Sequence, residues 1–178
     1  PSMMREAVSY RLYRDHGVFA PRTSYARVLI NGEYKGLFLA VEQIDTRFAQ
    51  SRFADGGEGN VYKEVWPSED DETRWLESLK NNRNQPNVDK MLRFAQDFEA
   101  GGQTGFLETM GSWTDLDHWI TYFAISRLIE HWDGPLAWYC GDDCRNHNYY
   151  FYESSVDDKF WIIPWDYDMA LFYIHPQR

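Results

Sequence analysis

The chain has 178 residues, a formal net charge of −10, and 8 Trp, 12 Tyr and 11 Phe. That length suits one domain with a sizeable core, and the aromatic content excludes low-complexity disorder. The acid excess repels phosphates and so disfavours a nucleic-acid partner, and no apolar run approaches the roughly 18 residues of a membrane span. The excess reads first as solubility, with attraction to a basic protein partner as the sharper reading. Pro1-Ser2-Met3-Met4 shows neither a basic n-region nor an apolar h-region, and reads as a starting point inside a longer protein.

Met3–Arg14 is predicted as a helix capped by Ser2 and stopped before Gly17, with Met4, Val8 and Leu12 as its apolar stripe. Ser24–Ile30 and Tyr34–Val41 bracket Asn31-Gly32, the pair that suits a type I′ turn, and so read as a hairpin. Glu42 closes the second strand on the Tyr34, Phe38, Ala40 face, and Asp45 caps a short helix reaching about Phe53. Gly56-Gly57-Glu58-Gly59 then leads into a brief strand, Asn60–Lys63. Its spacing fits neither phosphate-cradling glycine motif, so a plain turn is expected. Glu64–Asn87 is polar and acidic and reads as an excursion from the core.

Asn87 is expected to cap an amphipathic helix with Val88, Met91, Leu92, Ala95 and Phe98 on one face, ended by Gly101-Gly102. Thr114-Asp115-Leu116-Asp117 resembles a capping box. The helix it opens is expected to turn Leu116, Ile120, Phe123, Ala124 and Leu128 inward and to deliver His131 and Asp133 at its end. Cys140 and Cys144 stand four apart in a polar loop. Two Cys alone are weak evidence for a metal, and a local disulfide and two free thiols are equally good readings. Tyr149–Tyr152 and Lys159–Ile163 flank Ser154-Ser155-Val156-Asp157-Asp158 as a second hairpin.

The hairpin returns its ends to one place, so Asn148 and Asp166 are expected side by side, with Asp133 joining them from its loop. Phosphoryl transfer asks a protein to hold Mg²⁺ on nucleotide phosphates, align an acceptor hydroxyl and neutralise developing charge. Mg²⁺ takes one or two carboxylates plus phosphates and water, a role that suits an Asn and an Asp at a hairpin mouth. Protein kinases carry an H-x-D, then an Asn, then a metal-binding Asp in this order. Asn148 lies 15 positions beyond Asp133, against about five in the ordinary kinase loop. Duller readings stand beside these: His131 complements a helix dipole, Asp133 bonds its own loop, Lys63 is solvated, and the Trp and Tyr rings are core.

Taken together, these residues resemble the CotH kinase family, spore-coat-protein-H-like atypical protein kinases. The resemblance runs from Met4-Arg5-Glu6-Ala7 and Leu12-Tyr13-Arg14-Asp15-His16-Gly17 through Asn31-Gly32-Glu33-Tyr34-Lys35-Gly36-Leu37 and Val41-Glu42-Gln43-Ile44-Asp45. It continues through Gly59-Asn60-Val61-Tyr62-Lys63 and His131-Trp132-Asp133 to Asn148-Tyr149-Tyr150-Phe151-Tyr152 and Ile163-Pro164-Trp165-Asp166-Tyr167-Asp168.

It implies one domain over residues 1–178 with an α+β, atypical protein-kinase-like fold of antiparallel hairpins packed with helices. ATP with Mg²⁺, or Mn²⁺, would be the cofactors, and the γ-phosphoryl group would pass to Ser or Thr of a protein substrate, a basic one being the sharper expectation. By position, Asp133 matches the residue that receives the acceptor proton, Asn148 and Asp166 match metal ligands, and Asp168 is a second candidate ligand. Lys63 resembles the phosphate-gripping lysine and Glu42 its ion-pair partner. A secreted, cell-surface or spore-coat location is implied too. Gly134 and the insertion Pro135–Arg145 depart from the family pattern, and a nucleotide-covering N-terminal segment is expected to precede the chain. Two rivals differ in class: a glycoside hydrolase using Asp133 and Asp166 as its acid–base pair, and a catalytically inactive surface, spore-coat or adhesin module.

Overall fold

A computed structural model describes residues 3–67, 72–137, 139–140 and 144–171. The fold is mixed α+β with antiparallel sheets. In chain order the elements are α1 (Met3–Asp15), β1 (Thr23–Ile30), β2 (Glu33–Val41), α2 (Thr46–Gln50), β3 (Asn60–Lys63), α3 (Glu72–Ser78) and α4 (Asp89–Gly101). Then follow α5 (Phe106–Trp113), α6 (Leu116–Leu128), β4 (Tyr139–Cys140), β5 (Cys144–Arg145), β6 (Tyr149–Glu153) and β7 (Phe160–Pro164). Ser2 lies outside the described residues, as do the side chains of Cys140 and Cys144, so the expected cap and the thiol question fall there.

The centre is the sheet β3-β6-β7, with Lys63 opposite Tyr150 and Tyr149 opposite Pro164. Its side chains alternate between two cores, as the two-residue period of a strand requires. Tyr62, Tyr149, Phe151, Phe160 and Ile162 face a large cluster built with α1, α3, α4, α5 and α6. Val61, Tyr150, Tyr152 and Ile163 face a smaller one built with Ile44, Phe48, Ala49 and Phe53. Both faces are covered, which is why Tyr149-Tyr150-Phe151-Tyr152 reads as an unbroken aromatic run.

The β1–β2 hairpin forms through Asn31 (φ 53°) and Gly32 (φ 84°), with a register shift after Val28. Tyr25, Leu29, Ile30, Tyr34, Leu37 and Phe38 on it are all exposed. Asp45 caps α2 as expected, accepting from the Arg47 and Phe48 amides, although the helix stops at Gln50. Asn87 accepts the Asp89 amide at 2.8 Å from one place before the cap of α4.

Three expectations are corrected. In α1 the inward residues are Ser9, Tyr10 and Tyr13, while Met4 and Val8 are exposed. In α6 the buried face is His118, Trp119, Tyr122, Ile125 and Ser126, while Ile120 and Leu128 point to solvent. The inward polar groups mostly bond internally: His118 Nε2 to Ile162 O (2.8 Å), Trp119 Nε1 to Phe160 O (3.0 Å), and Ser126 Oγ with Tyr13 Oη (2.7 Å). A hydrophobicity stripe misses such a face, because a satisfied polar group can be buried. Finally, the stretch from Glu64 is not an excursion: Val65, Trp75, Leu79 and Asn81 are buried, and Asn81 bonds the Val61 amide and the Gly59 carbonyl. α5 was absent from the expected elements, and its N-cap, Gly105, offers no capping side chain.

The two readings of α6 separate by mutation. Trp119→Ala is expected to cost about 3–5 kcal/mol, and Leu128→Lys to stay within about 0.5 kcal/mol, both read from denaturant midpoints. The reverse order would restore the hydrophobic-stripe face.

Candidate active site

All three central strands meet the loops at one end of the sheet, and each does so through a non-glycine residue in the left-handed region. β3 leaves through Glu64 (φ 58°), β6 enters from Asn148 (φ 64°), and β7 is followed by Asp166 (φ 53°). L-residues avoid that region at about 1–2 kcal/mol each, less for Asn and Asp, so something must hold them there. Asn148 N donates to Glu64 Oε1 (3.0 Å), and Trp165 N donates to Asn148 O (3.3 Å). Asp166 N donates to the buried Tyr10 hydroxyl (2.9 Å), while Asp166 O accepts from His131 Nε2 (3.1 Å). Each polar side chain at the sheet end is thus carried on a fixed backbone.

Asp133 joins them from the loop after α6. Asn148 Nδ2 donates to its carboxylate oxygen Oδ2 (3.1 Å) and to its backbone oxygen (3.2 Å). His131 Nε2, occupied with Asp166 O, also lies 3.2 Å from Asp133 Oδ1. Asp133 is buried, and Oδ1 has no hydrogen-bond partner. The amide orientation that serves Asp133 leaves Asn148 Oδ1 as an uncommitted oxygen on the same side chain. The His131 ring lies on Tyr167 with centroids 4.0 Å apart. A side chain on Gly134 would begin 2.2 Å from His131 Nδ1, so the glycine is what lets the loop close over the ring.

The turn after β7 is crowded with acids. Burial raises the Asp166 carboxyl above its ordinary range, and the charges of Asp168 and Asp133 add to this. Glu6, on α1, is raised in turn by burial and then by Asp166, while the Tyr167 amide and Asp168 act in opposite directions. Asp168 itself is exposed. Among the described residues no three His, Cys, Asp or Glu side chains form a group able to hold a metal ion alone. The arrangement fits a cation that brings ligands with it. Such a cation could take two oxygens here, Asn148 Oδ1 and one from the Asp166 carboxylate, since Mg²⁺ usually takes only one or two carboxylates beside phosphate and water.

Lys63, at the end of β3, is a third exposed and lies 3.4 Å from Glu64 Oε1. The expected Lys63–Glu42 pair is therefore corrected. Glu42 is gripped by Arg22 and Arg52, each at 2.5 Å, because two guanidinium forks saturate a carboxylate. Burial pushes the Glu42 carboxyl up, but the hydrogen bonds from Arg22 and Arg52 outweigh it and bring it to about 2. Glu64 is the residue that sequence reasoning missed. Its only signal was its place beside Lys63, and the acidic run after it hid that. A cavity of about 760 Å³, with Asn60, Asn81 and Glu153 in its lining, includes none of these groups. Its amides are already bonded within the fold, so the convergence of polar groups is the better guide to chemistry.

A family model described as CotH kinase protein matches residues 1–177. The inner spore coat protein H of Bacillus subtilis (strain 168) is 23% identical over 184 residues, an alignment covering 94% of this chain and 46% of that protein. The chain thus spans about half the length of this curated relative.

Two measurements follow from the electrostatics and the packing. Asp166 and Glu6 bind a proton more readily folded than unfolded, so their contribution favours the fold at low pH and is lost as pH rises through the raised values. Glu42 has the opposite sign, its contribution being present above the unfolded value and lost as pH falls towards about 2. In metal-free buffer Asp166→Asn should raise the melting temperature at neutral pH, and Glu42→Gln should lower it. Both differences should shrink in acid, and pH-independent differences would contradict the assignment. Gly134→Ala should cost about 1–3 kcal/mol of stability by overpacking against His131, and wild-type stability would refute that contact.

Proposed function

The chain belongs to the CotH family, and from that premise we propose that it is an atypical Mg-ATP-dependent protein kinase that transfers the γ-phosphoryl group to Ser or Thr of a protein. The observation that carries the proposal is Asp133 Oδ1, a buried carboxylate oxygen that makes no hydrogen bond, 3.2 Å from His131 Nε2 and beside Asn148 and the acidic turn. Asp133 takes the acceptor hydroxyl's proton on Oδ1, while Asn148 and His131 keep its carboxylate in place. Asn148 and Asp166 would hold the divalent cation, and Asp168, whose charge acts on Asp166, would be a second acidic ligand. Lys63 would bind the nucleotide phosphates. Mg²⁺, or Mn²⁺, would supply neutralisation of the phosphate charge. The kinase-like fold belongs to the same proposal.

The net charge of −10 suits a basic protein substrate. Spore-coat association is proposed from the name of the Bacillus subtilis relative, and a secreted or surface location would accord with it. Among the described residues no helix is long and apolar enough to cross a membrane.

One observation favours a second reading, a catalytically inactive binding module. Two cavities of about 760 and 650 Å³ contain none of Asp133, Asn148, Asp166 or Lys63. Thermal melts with ATP and Mg²⁺ or Mn²⁺, together with mass spectrometry for phosphate transfer, separate the two. Asp133→Asn should keep the nucleotide shift and lose transfer by about 10²-fold or more. Asp166→Ala should lose the metal-dependent shift as well. A wild-type protein that shows neither shift nor transfer would leave the binding module standing.

A further inference from the structure

We propose that Glu64 is a positioning residue for the nucleotide site, setting Lys63 and Asn148 at the same time. The inference rests on the phosphotransfer reading and adds to it a residue that no part of that reading requires. Its basis is the geometry of the sheet end. Glu64 Oε1 accepts the Asn148 amide at 3.0 Å and lies 3.4 Å from Lys63 Nζ, while Oε2 lies 3.6 Å from His147 Nδ1. One carboxylate thus contacts the cationic side chain, the backbone of the amide ligand and the residue before that ligand.

Glu64 does this from a strained backbone. It stands at φ 58°, where Gly would sit at no steric cost, and its own amide donates to Tyr149 O at 3.3 Å. A loop residue with nothing to hold gains nothing from that conformation, and a charged residue there can be kept for what its side chain reaches. Both left-handed residues lie just past the paired end of β3 and β6, so the Glu64–Asn148 bond fixes Asn148 from the same strand end that carries Lys63. Arg22 and Arg52 occupy Glu42, and among the described residues Glu64 is the carboxylate beside Lys63, at 3.4 Å.

Glu64→Gln keeps an oxygen for the Asn148 amide and removes the charge facing Lys63. Glu64→Ala removes both. Mg-ATP titrations by calorimetry and steady-state kinetics should show the Gln variant weakening Mg-ATP about tenfold, close to 1.4 kcal/mol, with KM moving further than kcat. The Ala variant should lower kcat in addition, because Asn148 is released. A cycle with Lys63→Met supplies the readout that a purely structural role would not move: the double variant Lys63→Met/Glu64→Gln should bind Mg-ATP no worse than Lys63→Met alone. Additive losses, or a Gln variant that binds like wild type, would overturn the role of Glu64 and leave the phosphotransfer reading intact. A wild-type protein that does not bind Mg-ATP would overturn both.

Discussion

The constraint on which the rest depends is that a three-stranded sheet is buried on both faces. Its side chains are committed to two cores, so the sheet can present chemistry only where its strands stop. At that end the chain must also leave the ladder without stranding backbone donors and acceptors. Glu64, Asn148 and Asp166 do this by turning left-handed. The conformation is disfavoured by about 1–2 kcal/mol for an ordinary L-residue, and it is sustained by bonds from Tyr10, His131, Trp165 and one another. The strain is local, and the two cores behind it supply the rigidity.

That distinction explains what could be read from the residues alone. Asn31-Gly32 and the hairpin ending at Pro164 were legible because turn chemistry and two-residue alternation are local properties. The approach of Asn148 to Asp166 follows from the second hairpin, since a hairpin brings its ends together. The buried face of α6 was not legible, because His118 and Ser126 enter the core on the strength of partners far away in sequence, Ile162 and Tyr13. Glu64 escaped for a related reason. An acidic residue opening a polar stretch looks solvated until its partner Asn148, 84 positions away, is seen. The Lys63–Glu42 pairing failed because two arginines competed for the same carboxylate.

The buried acids also sort themselves by satisfaction. Glu153 is raised by burial, yet its Oε2 accepts from Tyr62 Oη at 2.5 Å and from Asn60 Nδ2 at 3.3 Å, both groups of the fold itself. It belongs to the architecture. Asp133 has one oxygen held by Asn148 and one that makes no hydrogen bond, although His131 Nε2 lies 3.2 Å away, which is costly for a group this buried. Behind the acidic turn, Tyr167 Oη donates to Tyr13 Oη at 2.8 Å and Tyr13 meets Ser126 at 2.7 Å, tying α1, α6 and the turn into one block.

The long loop between Asp133 and Asn148 looks at first like an objection to the proposed arrangement, since 15 positions separate residues that touch. Loop closure answers it. The cost of bringing two ends together grows only with the logarithm of loop length, and the roots of this loop are pinned. Ala137 N donates to Gly134 O at 3.0 Å, and Asn146 Nδ2 donates to Pro135 O at 3.0 Å. Trp66 Nε1 holds Asn146 Oδ1 at 2.8 Å from the other side, and β4 pairs with β5 between them. The described part of the insertion therefore closes a neck beneath the β4–β5 pairing, and that neck keeps Asp133 and Asn148 in contact despite the length between them.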